Sequence, residues 1–452
     1  MKRQFTGNMT EGTIPVVLMR FAVPMVLGLL LQQLYNTVDA AIVGRYVSKE
    51  ALAAVGSTSS ILQLMIGLMN GVSTGARVVT AQYYGAHDET KLQRSVYASA
   101  AVTLVMGALC MILGFILVGP LLLIMKTPSD VFVQAKRYLS ICILGFPSLF
   151  VYNMGAAILR AVGDAKRPLY FLAAAAVLNC LLDLLFIVGC NMGVEGAAIA
   201  TIVSQFVSAI LVTVVLVRSS GAYGIAFRRE RIDKDIVKRI MLIGLPTALQ
   251  QMLNAFSSTY VQSYINSFGS DCMAGWSVHA KMDTLLLTPM DAVGMASATF
   301  VAQNYGAKKI ERLRKGVKWA CYLGAGMTAI LVGIMLAFVR PAATFFNDDP
   351  NVIAYAVRIV TIIIPFYPIC SINVIYASAL RGCGYAKQSS GIIMFSYVLF
   401  RQIYLLIASN LGNHFVSIIL VYPFGWVLSC VLHIIWYQRR LIPNVDKIRT
   451  HD

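Results

Sequence analysis

Charge is scarce in this chain. Of its 452 residues only 13% are Asp, Glu, Lys or Arg, about half the share of an ordinary soluble domain, while 58% are hydrophobic. A water-soluble globular protein is excluded on that ground. No P-loop of the form GxxxxGK[ST] occurs, which argues against direct ATP hydrolysis by this chain. The nine cysteines are odd in number and sit mostly inside apolar runs, as do Cys110, Cys142, Cys180 and Cys430, so neither a disulfide framework nor a metal-ligand spacing is expected. The opening "MKRQFTGNMTEGTIP" places polar residues after its basic pair and no apolar core before a cleavage site, so no removable signal peptide is expected.

What the chain has instead is apolar windows of roughly 20 residues, each long enough to cross a hydrocarbon core of about 30 Å as a helix that satisfies its own backbone. Twelve are expected, near 15–43, 51–82, 95–119, 131–157, 169–189, 195–217, 240–268, 272–304, 317–339, 351–379, 389–411 and 414–437. The fold class is therefore all-α integral membrane, in a lipid bilayer. The formal charge of +17 raises nucleic acid as a partner, but the basic residues form no amphipathic or aromatic-interleaved surface. They collect in alternate short loops. With both termini on one side, 26 of the 37 Lys and Arg fall on that side or at its edge, Arg228, Arg229, Arg231, Lys308, Lys309, Arg312, Arg314 and Lys315 among them. The opposite loops hold four: Arg45, Lys49, Lys126 and Arg340. The positive-inside rule then puts both termini in the cytoplasm of a cell inner membrane protein.

The chain is also written twice. "AQYYGA" at 81–86 returns as "AQNYGA" at 302–307, and "LRAVGDAK" at 159–166 returns as "LRGCGYAK" at 380–387, both 221 residues on. Pro120 and Pro341, and Pro147 and Pro368, keep the same offset. Each half holds six spans, so both enter the membrane in the same direction, as two pseudo-symmetric lobes related by an axis along the membrane normal. Residues 1–218 form the N-lobe, 219–239 a basic cytoplasmic linker and 240–452 the C-lobe. Two six-helix lobes on one linker suit alternating access around a central cavity, although a duplicated scaffold without that motion has the same pattern.

Against this apolar background an intramembrane acid is a functional candidate by default, because it costs about 2.5–3.5 kcal/mol at span depth. Asp39 in "LYNTVDAAIVG" and Asp183 in "VLNCLLD" lie well inside spans of the first half. Asn179 precedes Asp183 by one helical turn and shares its face. Thr201, and Tyr35 one turn before Asp39, add oxygens at similar depth. Carboxylate, amide and hydroxyl oxygens are hard ligands for a small cation, and two neighbouring buried carboxylates favour one shared proton, so the cluster suits Na⁺ or H⁺. A structural clasp between helices is the competing reading.

These residues carry a resemblance. "AVPMVLGLLLQQLYNTVDAAIVGRYVSKEALAAVG", the repeated "AQ-x-YGA", the "LR-x-x-G" elements and "GVEGAAIAT" resemble a multidrug and toxic compound extrusion (MATE) transporter over nearly the whole chain. The resemblance implies the MATE fold of twelve helices in two lobes, and export of small amphipathic, often cationic, organic compounds coupled to H⁺ or Na⁺. Its DinF-like branch implies an N-lobe cation or proton site at the positions of Asp39, Asn179, Asp183 and Thr201. The NorM-like branch carries acids in spans seven and ten, whereas "QQMLNAFSSTY" and "YPICSINVIYAS" here contain none.

Other residues divide between functional and structural roles. Pro24, fifteen residues before Asp39, is a hinge or a static kink. Gln32, Tyr138, Asn153, Gln251 and Asn254 are substrate-cavity candidates or helix bridges. Asp283 and Asp291 read as a charge network with Lys281 at hand to neutralise one. Arg77 reads as snorkelling, and Arg401 and His433 as lining the C-lobe interior or as satisfied core residues. No cofactor, enzymatic reaction or nucleic-acid partner is expected, and the chain is expected to be a monomer. A flippase of lipid-linked sugars or an exporter of other amphipathic metabolites is the alternative transporter, disfavoured by the few Arg and Lys within spans. A membrane-embedded transferase would need a catalytic cluster at the surface that the short basic loops do not offer. The charge asymmetry carries a direct test. A cysteine introduced near 310 should react with an impermeant thiol reagent only after the cytoplasmic face is opened, and one near 345 should react in intact cells; labelling near 310 from outside would overturn the topology.

Overall fold

The computed structural model describes residues 7–47, 49–125, 127–219, 221, 223–225, 232–412, 414–444 and 446. Lys126, Arg228, Arg229 and Arg231 of the charge argument, and much of the linker, lie outside them. Among the described residues the regular structure is helical and no strand occurs. The first seven helices are α1 (Ile14–Tyr46), α2 (Lys49–Gly85), α3 (Glu89–Ile124), α4 (Ser129–Leu144), α5 (Phe146–Ala161), α6 (Lys166–Asp183) and α7 (Gly193–Arg218). The next ten are α8 (Lys234–Asn266), α9 (Ser270–Gly306), α10 (Ile310–Ala337), α11 (Val339–Phe346), α12 (Pro350–Ile363), α13 (Tyr367–Gly382), α14 (Ala386–Met394), α15 (Phe400–Asn410), α16 (Phe415–Ile419) and α17 (Val421–Trp436). A π-helical turn, Leu184–Gly189, continues α6, and another, Phe395–Leu399, joins α14 to α15.

Nine continuous stretches among the described residues are long and apolar enough to cross a membrane, and α4 with α5 makes a tenth bent by 46°. The bend has a local cause. Gly145 separates the two helices and Pro147, in the first turn of α5, has no N–H to donate back into α4. Helices α2 and α8, 37 and 33 residues long, complete six spans in each half; Gly, Ser, Thr and Asn dilute their apolar content. Residues such as Leu104, Ile112, Ile116 and Leu123 of α3 are exposed, as lipid-facing side chains are.

The 221-residue repeat extends to the backbone. Left-handed φ angles occur at His87 (55°) and Lys308 (56°), at Gly163 (84°) and Gly384 (92°), and at Asn191 (51°) and Gly412 (120°), each pair at that offset. Helices α2 and α9 start and stop at matching positions, as do α5 and α13.

By packing the chain forms two compact units. One comprises Leu27–Ala248 with the N-terminal residues to Asn8, and the other Met9–Val26 with Leu249–Asp452. In the first unit, Ile61, Met69, Leu122, Leu139, Ile143 and Phe150 belong to one buried apolar cluster. Arg239 of α8 is held by the first "AQ-x-YGA" copy: Nη2 donates to Gln82 Oε1 at 2.9 Å and Nη1 to the Tyr83 hydroxyl at 2.7 Å. In the second unit the other copy holds the segment before α1. Gln303 Oε1 accepts from Met9 N at 2.9 Å, and Asn304 Nδ2 donates to the Met9 carbonyl at 3.2 Å. Arg312 adds bonds to the carbonyls of Met9, Glu11 and Gly12. The repeated motif is thus a latch, used once in each unit. Arg77, expected to snorkel, is buried at 5% exposure.

Helix α2 meets the 234–248 part of α8 through small residues. A Cβ at Gly71 would lie 2.4 Å from Ala248 N, and one at Gly75 would lie 2.3 Å from the Ile240 carbonyl. Gly71 and Gly75 face Gly244 and Ala248, a small-xxx-small pair on each helix, which lets the backbones touch in the absence of a hydrophobic drive between helices. Gly71→Leu or Gly75→Leu should therefore destabilise the protein by about 1–3 kcal/mol through overpacking. The check is the thermal midpoint in detergent, with Gly119→Ala, whose Cβ meets open space, as the neutral control.

Candidate ion-coupling site

Four helices of the first unit converge on one polar spot. Helix α1 brings Tyr35 and Asp39, α4 brings Tyr138 and Cys142, α6 brings Asn179 and Asp183, and α7 brings Thr201. An apolar cluster of Ile42, Val43, Ile187, Val194, Ala197 and Ala198 packs around Tyr138 and Cys142 and frames them. The spacing of Asn179 and Asp183 does what one helical turn dictates, and both are fully buried at 0% exposure. The Asp39 and Asp183 carboxyls face one another. Tyr138 and Tyr35 lie beside Asp39, and the Tyr35 hydroxyl lies at that of Thr201.

The cluster is assembled but not satisfied. Asn179 Oδ1 and Nδ2 are buried without a hydrogen-bond partner, and Asp39 Oδ1 and both Asp183 oxygens receive no donor from the rest of the fold, so the two carboxyls can bond only to each other, through a shared proton. Each such group costs about 1–3 kcal/mol, more when charged, so hydrocarbon side chains of the same shape would be the more stable filling. Thr201 Oγ1 donates its proton to the Ala197 carbonyl at 3.0 Å and uses a lone pair on the Tyr35 hydroxyl, which leaves one more for another partner. The π turn begins directly after Asp183, with Cys190 N bonded to the Leu185 carbonyl at 2.9 Å. Such turns recur where a helix carries a functional group. Among the described residues no set of three or more His, Cys, Asp and Glu gathers in a metal-binding group. Two carboxylates, an amide and hydroxyls are donors for a proton or an alkali cation, not for a transition metal.

The remaining candidates do not join this cluster. Gln32 is exposed. Asn153 turns its amide back to the Leu149 carbonyl at 2.9 Å. Gln251 and Asn254 belong to the second unit, where Asn254 Oδ1 is buried without a partner. Pro24 is buried inside α1. Asp283 accepts a hydrogen bond from the Tyr367 hydroxyl, and the cation beside Asp291 is Arg381. Lys281, expected to neutralise one of those acids, instead lies 5.3 Å from the Phe346 ring centroid. His433 is a satisfied core residue, with Nδ1 2.8 Å from the Ser429 carbonyl and Nε2 3.3 Å from Ser389 Oγ. Cys142 is the site neighbour that sequence reasoning missed; its place one turn after Tyr138 was the available signal.

A family model described as MatE matches residues 24–185 and 246–405, which includes Asp39, Asn179 and Asp183. The chain belongs to the MatE family. Similar proteins include the probable multidrug resistance proteins YoeA and YpnP of Bacillus subtilis. YoeA is 26% identical over 371 residues, 80% of each chain, and YpnP 27% identical over 397 residues, 87% of this chain and 88% of its own. Among solved structures, one described as the outward-facing conformation of a multidrug resistance MATE family transporter of the MOP superfamily superposes with a TM-score of 0.91. It covers 97% of this chain and 98% of its own at 22% identity. The architecture of twelve helices in two lobes is thus that of MATE transporters.

The unsatisfied cluster makes a stability prediction. Asp183→Asn replaces one member of a buried acid pair with a neutral side chain of the same shape that can donate to Asp39, so the thermal midpoint in detergent without added Na⁺ should stay level or rise. Any Na⁺-dependent increase seen in the natural protein should disappear. A loss of several degrees would identify Asp183 as a structural clasp.

Proposed function

We propose that this MatE-family chain is a secondary antiporter that exports small amphipathic organic compounds, cationic ones among them, in exchange for H⁺ or Na⁺. Asp39, Asn179, Asp183 and Thr201, with Tyr35 beside them, take the coupling ion. The observation that supports this most strongly is the buried set of Asn179, whose amide has no partner, and the Asp39 and Asp183 carboxyls, which have only each other. A cation or proton there supplies the partner that the fold withholds. The absence of acids from spans seven and ten is consistent with a DinF-like site confined to the first half. The names of YoeA and YpnP as probable multidrug resistance proteins support export as the direction.

The functional division follows the repeat. Residues 1–218 form the ion-coupled lobe, 219–239 the connection and 240–452 the second lobe, in a chain that works as a monomer in the inner membrane with both termini cytoplasmic. Uptake of a cation or proton cancels negative charge between Asp39 and Asp183, and with it the repulsion that keeps those helices apart. Pro24 offers a yielding point in α1, because it supplies no N–H to the carbonyl of Arg20 one turn earlier. The loss of charge also weakens the hold on a cationic substrate, which is then released outward. Transport is the chemistry of this reading, and no bond of the substrate is broken.

The test is efflux from proteoliposomes under separately imposed Na⁺ and H⁺ gradients. Asp39→Asn and Asp183→Asn should each abolish gradient-driven efflux with membrane insertion intact, and Asn179→Ala should weaken the response to the ion several-fold. Normal efflux with normal ion dependence in the double Asp39→Asn, Asp183→Asn variant would sink the proposal.

A further inference from the structure

The second unit buries a cation that forms no ion pair with a carboxylate among the described residues. Arg401, at the start of α15, is 2% exposed. Its guanidinium carbon lies 4.6 Å from the centroid of the Tyr422 ring and 5.5 Å from that of Tyr397. Nη1 reaches the hydroxyls of Ser257 and Ser258 only at 3.4 and 3.5 Å, and Nε is buried with no partner. Ser257 is already committed, donating to the Tyr397 carbonyl at 2.7 Å and accepting from Gln402 Nε2 at 3.2 Å. The Asp283 carboxylate, which lies beside Tyr422, is engaged by Tyr367 and forms no ion pair with Arg401.

Burying an unpaired charge is costly even after relaxation, and two aromatic faces return only part of that cost. The aromatic faces therefore orient the guanidinium without neutralising it. What remains open is the planar N–H fork, whose geometry matches a carboxylate or phosphate. The repeat sharpens the contrast. Residue 401 is the 221-offset partner of Cys180, on the span that corresponds to the one carrying Asn179 and Asp183. Both spans contain a π turn next to the polar group, but the first unit presents acids and the second presents Arg401.

We propose that Arg401, set between Tyr397 and Tyr422 with Ser257 and Ser258, is the recognition point in the second unit for an anionic oxygen group, carboxylate or phosphate, on the transported amphiphile. This rests on the transport reading above and extends its substrates to anionic and zwitterionic compounds. Tyr422 also packs against Trp276 and Trp426, so an apolar or aromatic ring of the amphiphile would adjoin this aromatic cluster beside the anion.

Binding is tested without a gradient, so its outcome is separate from that of the efflux experiment. Trp276 and Trp426, with ring centroids 5.6 and 6.1 Å from Tyr422, report occupancy by fluorescence in the purified full-length protein. The probes are 2-naphthoate, 2-naphthyl phosphate and the neutral 2-naphthamide. At least one of the two anions should bind ten-fold or more tightly than the amide, a comparison that needs no variant. Arg401→Gln should remove that preference, Arg401→Lys should restore part of it, and Tyr422→Leu should weaken all three probes. Displacement of the bound anion by phosphatidylglycerol in the natural protein, but not by phosphatidylcholine, would make the natural anion a lipid headgroup; no displacement would make it a free solute. Either supports the site. Equal binding of acids and amide, or an anion preference that survives Arg401→Gln, overturns it.

Discussion

A polar atom in hydrocarbon has no water to return to, and that constraint shapes this molecule from its helices to its sites. Helices meet it for the backbone, since each closes its own hydrogen bonds. Buried Ser and Thr meet it locally, as Thr247 and Thr103 do by donating to carbonyls one turn back. It is left unmet at several buried atoms, among them those of Asn179 beside the Asp39 and Asp183 pair in one unit and Arg401 Nε in the other, and there the unmet valence is what a passing ion or solute can supply.

The two units answer the same duplicated sequence differently. The latches built from Gln82 and Gln303 and the left-handed residues at 221-residue offsets are shared, so the copies agree in backbone and in the loops at the helix ends. They differ in buried charge. The span that carries Asn179 and Asp183 in the first unit corresponds to the one that carries Arg401 in the second. A duplicated scaffold has thus been kept where it fixes helix ends and released where it meets the membrane interior.

Much of this was legible in the sequence, for a physical reason. An acid inside an apolar run is conspicuous because hydrocarbon tolerates so few, so Asp39 and Asp183 stood out, and Asn179 followed from helical spacing alone. The repeat was legible because its motifs fix turns and latches that tolerate little drift. Other features were not. A lone Arg such as Arg401 has the same signature whether it snorkels, pairs or waits for a ligand, and only packing against Tyr397 and Tyr422 distinguishes these. Lys281 and Asp283 are two apart in sequence and so project from different sides of α9, which is why sequence proximity misled. The assignment of residues 9–26 to the second unit depends on what each half of α1 packs against, and periodicity cannot report that. Gly71, Gly75, Gly244 and Ala248 carried a readable pattern of small residues.

The π turn after Asp183 changes how this helix must be compared with its relatives. Each π turn accommodates one residue more than an α turn, so side chains from about Ile187 onward are rotated by roughly 100° from where a continuous α-helix would put them. A helical wheel drawn with one phase through the span from Lys166 therefore carries an error of that size past the turn. Alignments of this span that keep one helical phase will mistake a change of register for a change of residue.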